Sequence, residues 1–79
     1  MAQYTNKYSQ QVFEILSPLL GNIMAQSIIN IHTLKVGKNP ETLTNADIQK
    51  FSESIQNGIT IFLGTDVAKT VGTKISKII

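Results

Sequence analysis

The residues that could carry acid–base or metal chemistry are few: one histidine, His32, and five carboxylates, Glu14, Glu41, Asp47, Glu53 and Asp66. A histidine that activates a nucleophile needs an orienting carboxylate beside it. No acid lies within a helical turn of His32, so the simpler role is a helix-end residue that hydrogen-bonds a carbonyl. A zinc site takes three or four ligands, and one imidazole with scattered acids does not supply them. No two acids stand three or four residues apart, so paired-carboxylate work would have to be assembled across the fold. Asp47 and Asp66 fit helix starts, where the dipole favours negative charge. The expectation is therefore a non-enzymatic chain with no catalytic residue, no cofactor and no metal.

Phosphate chemistry fares no better. The run Gly64-Thr65-Asp66-Val67-Ala68-Lys69-Thr70 distantly suggests a phosphate loop, but the P-loop needs a glycine immediately before Lys-Thr. Ala68 holds that position and no firm strand precedes it. Lys69, Lys74 and Lys77 make the end of the chain basic, a possible surface for an anionic partner. The seven cations are all lysines, with no arginine to read phosphates or guanine edges in a fork. No aromatic residue interleaves with these three, which disfavours base stacking. A small nucleic-acid-binding regulator is thus the alternative reading. A helix-turn-helix about Leu63-Gly64-Thr65-Asp66 matches weakly, because Asp66, Val67 and Ala68 open the following helix where base-reading side chains are needed.

The elements that would position these groups read as helices. Val12, Ile15, Leu16, Leu19, Leu20, Ile23, Met24, Ile28, Ile31 and Leu34 recur at helical spacing. They predict one long helix over 7–36, after a frayed start at 1–6. Pro18 falls inside it and is expected to kink it near Ser17, because proline lacks the amide donor; the alternative is two separate helices, the second capped by Ser17 and starting at Pro18. Gly37 suits the left-handed position that ends a helix, and Pro40 cannot extend one. A loop over 37–43 follows, with Leu43 packed down. Thr44 with Asp47 resembles a capping box and opens a second helix over 44–63, with Ile48, Phe51, Ile55, Ile59 and Phe62 on its apolar face. Ile59 to Leu63 is also rich in strand-forming types, but it continues the helical phase. Gly64 ends the second helix, and Thr65 or Asp66 caps a third over 65–79. No internal repeat is evident. The fold class predicted is all-α: a single domain, a small three-helix bundle with a long Pro-kinked first helix, completed by oligomerisation.

Composition supports that last clause. Of 79 residues, 42% are hydrophobic and only 15% charged, with a formal net charge of +2. The charged share is below the usual ~25%, so Asn, Gln, Ser and Thr must build much of the surface, and such a surface tolerates another chain. Without cysteine the chain has no disulfide to reinforce a small core. The first helix is apolar over more of its circumference than two short helices can cover. A homo-oligomer of two or more copies is expected, with Leu20, Gly21, Met24, Ala25, Ile28 and Ile31 at the interface; Gly21 and Ala25 would allow close approach. The lack of cysteine fits a cytoplasmic setting. Met1 to Gln11 is too polar for a secretory signal, and no apolar run is long enough to span a membrane. A further protein partner is compatible with this surface.

Overall fold

The predicted apolar spacing resolves into four α-helices rather than three in a computed structural model that describes residues 4–78, the side chain of Phe62 excepted. The predicted start at 1–3, the end of the third helix at 79 and the place of Phe62 on its helix face lie outside the described residues. In chain order the helices are α1 (Lys7–Leu20), α2 (Asn22–Lys35), α3 (Ile48–Leu63) and α4 (Thr65–Ser76), with a 3-10 turn at Asn45–Asp47 leading into α3. Every regular element among the described residues is helical, and Ile59 to Leu63 lies in α3. None of these helices is long and apolar enough to cross a membrane.

Residues 4–6 are tied down rather than frayed. Asn6 sits in the extended region and its side-chain oxygen accepts from the Tyr8 and Ser9 amides at 3.0 and 3.2 Å. This is an N-cap that satisfies two orphan donors of α1. The Asn6 amide group also donates to the Leu43 carbonyl at 2.8 Å, so the cap fixes the loop to the helix start. Glu41 reaches back from that loop and accepts from the Thr5 amide and hydroxyl and from the Asn6 amide. The Thr5 hydroxyl, above all, holds the Glu41 carboxyl below its ordinary range. Tyr4 and Tyr8 cover the core edge, Tyr4 tilted on Phe13 at 6.1 Å between centroids.

The long first helix of the sequence reading is two helices, and the break is at Gly21, not at Pro18. Pro18 lies inside α1. Its missing amide would have met the carbonyl of Glu14, and both residues are exposed, so water can serve that carbonyl. Gly21 stands at φ 86°, ψ 162°, a region essentially reserved for glycine. Its amide closes α1 on Ser17 at 2.8 Å, and its carbonyl opens α2 by accepting from Ala25 at 3.0 Å. One residue thus ends one helix and starts the next. The other end of α2 does follow the sequence reading. Lys38 donates to Thr33 and Gly37 to Leu34, the paired bonds of a Schellman ending.

Gly64 repeats the Gly21 joint. It stands at φ 84°, ψ 164°, its amide bonds Thr60 at 3.0 Å, and its carbonyl accepts from Ala68 at 3.1 Å. Glycine, not Thr65 or Asp66, therefore holds the capping position of α4. A one-residue joint is also too short for the helix-turn-helix reading. Aligning Gly21 with Gly64 pairs residue n of the first half with residue n + 43 of the second. Ser9 then falls on Ser52, Val12 on Ile55, Leu16 on Ile59, Ala25 on Ala68 and Ile28 on Val71, and all ten are buried. The helix pairings obey the same exchange: α1 packs on α2 and α4, while α3 packs on α4 and α2. The chain is a tandem pair of helix–Gly–helix hairpins related by an approximate two-fold, which corrects the reading that no repeat is present.

Forcing a side chain into either joint should strain both halves alike. Gly21→Ala and Gly64→Ala are each expected to lower unfolding free energy by about 1–3 kcal/mol. Urea denaturation checks it. No other heavy atom comes within 4 Å of a Cβ at either position, so the loss reports backbone strain and not a clash.

Candidate functional site

His32 is the natural place to look first for chemistry. It sits in the last turn of α2, buried, with Nδ1 2.7 Å from the Ser54 hydroxyl on α3. The ring lies against Gly58, where a Cβ would come within 2.7 Å of Cε1 and Nε2. Glycine is needed there for close approach, and α2 and α3 meet through that contact. The pair is a hydroxyl and an imidazole with no carboxylate joined to either by a hydrogen bond. Instead of bonding a carbonyl, as the sequence suggested, His32 joins two helices.

The acids are dispersed. Glu41 holds the chain start. Asp47 accepts from the Thr44 amide and hydroxyl, both at 2.9 Å, and lies 3.8 Å from Lys38. The Thr44 amide, with smaller help from that hydroxyl and from Lys38 and Lys50, depresses its pKa. Glu14 accepts from Gln10, one turn before it on α1. Glu53 and Asp66 are exposed. No three His, Asp or Glu groups among the described residues cluster closely enough to hold a metal ion.

What the fold assembles instead is a surface. At about 100° per residue, α2 carries two apolar faces on nearly opposite sides. Ala25, Ile28, Ile29, His32 and Thr33 turn into the core. Ile23 (81% exposed), Leu34 (69%), Ile31 (52%) and Met24 (46%) turn outward. Between Asn22 and Leu34 there is no Asp, Glu, Lys or Arg to break that outer face. A helix with apolar faces on two sides is normally covered on both. At the α1–α2 joint the stripe borders an open groove of about 720 Å³ lined by Leu20, Gly21, Asn22, Ile23, Met24 and Ser27.

The residues singled out from the sequence divide accordingly. Leu20, Gly21, Met24 and Ile31 reach the surface on this side. Ala25 and Ile28 do not: they are 0% and 5% exposed, inside the chain's own core. Gly21 is the joint, so the Gly21–Ala25 pair does not form the close-approach track read from its four-residue spacing. Sequence reasoning missed Ile23 and Leu34, the two most exposed members of the stripe. The two-fold would have found them. Their counterparts in α4 are Asp66 and Lys77, while Ile31 falls on Lys74 and Met24 on Val67. Lys69, Lys74 and Lys77, the residues read as a basic surface, are all exposed and, with Thr70 and Thr73, line one shallow groove of about 360 Å³ on α4.

Comparison with protein-family models, with curated proteins and with solved structures gives no match for this chain.

Burial pushes the His32 pKa below its ordinary value of 6.5, and the charge of Lys35 pushes it the same way. The fold therefore favours the neutral ring, while the unfolded chain takes up a proton near 6.5. Stability is expected to fall as pH drops from 7.5 through 6.5 towards the lowered native value. Glu41 and Asp47, whose ordinary values are 4.5 and 3.8, act below that window. Urea midpoints between pH 7.5 and 5 should decline for the wild type and stay level for His32→Gln, which cannot titrate.

Proposed function

We propose that the protein is a non-enzymatic helical interaction module that self-associates through the outer face of α2, serving as an adaptor, regulatory or structural subunit. One observation carries the reading. The two hairpins share a fold, yet the outward positions that hold Asp66, Lys74 and Lys77 in α4 hold Ile23, Ile31 and Leu34 in α2. The fold itself tolerates charge there, so it does not demand apolar residues at those positions. Their presence on α2 calls for a cover from outside the chain.

A second copy is the occupant that fits. Ile23, Met24, Ile31 and Leu34 at their exposures present roughly 500 Å² of apolar surface, near the top of the ~300–600 Å² that a monomer leaves bare. With Gln26, Ser27 and Asn30 beside them, the face approaches the ~800 Å² per partner of a standard interface. No charge on this face before Lys35 would have to be desolvated by pairing. A two-fold axis perpendicular to α2 would set it antiparallel to its copy, bringing Leu34 of one chain towards the groove beside Ile23 of the other. Cysteine-free composition accords with a cytoplasmic module, and an additional protein partner would use what the dimer leaves open.

The test borrows residues from the protein's own second half. The double variant Ile23→Asp, Leu34→Lys copies Asp66 and Lys77 onto their equivalents and leaves the net charge unchanged. Asp in the first turn and Lys in the last also suit the helix dipole. Light scattering at micromolar concentration should give a dimer for the wild type and a monomer for the variant, with the helical spectrum retained. A monomeric wild type sinks the proposal, as does a dimer that survives both changes. Ile28→Lys is no test of the interface, because it places an ammonium in the core and is expected to unfold the chain.

A further inference from the structure

The net charge of this protein resides on one helix. Outside α4 and the residue that follows it, four lysines (Lys7, Lys35, Lys38, Lys50) stand against four acids (Glu14, Glu41, Asp47, Glu53) and cancel. Lys69, Lys74 and Lys77 stand against Asp66 alone and account for the whole formal +2. The three lysines share one groove with Thr73 and with Thr70, whose hydroxyl donates to the Asp66 carbonyl at 3.1 Å. From Lys69 to Lys77 the charge ridge extends about 12 Å at the α-helical rise. Asp66, in the first turn of α4, stands one turn from Lys69 and about 16 Å along the axis from Lys77, and none of the three lysines has an ion-pair partner among the described residues.

The two-fold again serves as the internal control. On α2 the positions equivalent to Lys69, Thr70, Thr73, Lys74 and Lys77 are Gln26, Ser27, Asn30, Ile31 and Leu34. The hairpin folds without a cation at any of them, so the lysine ridge is not a requirement of the architecture. The ridge also sits on the opposite half from the apolar stripe.

From this concentration of charge we infer that the outer face of α4 binds the phosphodiester backbone of nucleic acid without reading its sequence. The three lysine ammonium groups would contact phosphate oxygens, and such contacts position a protein without carrying sequence information. The face has no arginine fork and no aromatic ring, so base-edge readout and stacking are both absent from it. An anionic lipid surface is the less suitable partner. A surface helix anchors by burying an apolar face in the lipid, and α4 has already turned Ala68, Val71 and Ile75 into its own core. The inference does not depend on self-association through α2.

Fluorescence anisotropy with a labelled 20-base-pair DNA duplex tests it, using the full chain. At 20 mM salt, saturable micromolar binding is expected. Three neutralised phosphates give a log–log salt slope near −2.7 for each protomer bound, so raising salt from 20 to 60 mM should weaken binding roughly twentyfold. Exchanging an A·T-rich duplex for a G·C-rich one should leave affinity within about twofold. The triple variant Lys69→Gln, Lys74→Gln, Lys77→Gln should lose at least tenfold. The control triple Lys7→Gln, Lys35→Gln, Lys50→Gln removes the same total charge and should change affinity less than threefold. Circular dichroism verifies that both remain helical. No saturable signal at 20 mM salt overturns the inference. Equal losses in the two triples overturn it as well, since bulk charge would then be responsible. Binding to vesicles of 30% phosphatidylserine that exceeds binding to the duplex transfers the face to lipid and also overturns it.

Discussion

Each half of this molecule folds back on itself at a single residue, and that residue must be glycine. At φ 86°, ψ 162° for Gly21 and φ 84°, ψ 164° for Gly64, the backbone can close one helix and open the next with no residue between them. A joint this short leaves the two helices no freedom of register. Once Ser17 and Ala25 are both bonded to Gly21, the buried faces of α1 and α2 are fixed relative to one another, so Val12 and Leu16 meet Ala25 and Ile29 in one core. The same holds for Ile55, Ile59, Ala68 and Ile75 about Gly64. The central packing then follows from stacking two such hairpins, with α1 against α4 and α3 against α2.

That repetition separates what the fold requires from what it merely permits. Many buried positions keep their character in both halves: Ser9 falls on Ser52, Ala25 on Ala68, and Val12, Leu16 and Ile28 on branched aliphatics, although Phe13 falls on Gln56. Where the halves differ inside, the difference is local and compensated. His32 falls on Ile75, both buried; only the histidine needs a polar partner, and Ser54 with Gly58 opposite it supplies the hydroxyl and the space. Ile29 falls on Gly72, whose carbonyl accepts from the Ser52 hydroxyl at 2.7 Å and whose bare Cα leaves room for Gln56. Outer positions show no such restraint, and on them the halves have diverged towards opposite chemistries.

Much of the fold was legible in the sequence because it follows from local rules. Gly37 and Gly64 end helices where the apolar phase stops, Asp47 accepts from Thr44, and the periodicity of 48–63 outweighs its strand-like composition. The break at Gly21 was hidden because the helical phase continues past it without slipping, and because Pro18 drew attention to the wrong residue. Phase continuity shows that two helices present faces to one core. It does not show that they are one helix. The repeat was hidden for a related reason. Its matches are serine, alanine, leucine and glycine, which any amphipathic helix could hold at those places; only the shared geometry of the two glycines sets the register. Of the residues chosen as an interface, Ala25 and Ile28 failed because α2 is apolar on both sides, and one-dimensional spacing cannot say which side its own chain covers.

The distribution of chemistry over the two halves has a geometric consequence. The two-fold that exchanges α2 with α4 carries the outer face of one onto the outer face of the other, so the two faces belong to different helices and share no residue. A copy docked on Ile23, Ile31 and Leu34 would make its contacts on α2 without calling on Lys69, Lys74 or Lys77 of the second hairpin. Duplication of a hairpin gives such a chain two equivalent surfaces at once. Substitution at a handful of solvent-facing positions, none of them in the core, can then fit one surface for another copy and the other for an anion. The core constrains neither choice, because Ile23, Ile31 and Leu34 in the first hairpin and Lys69, Lys74 and Lys77 in the second all lie outside the buried cluster.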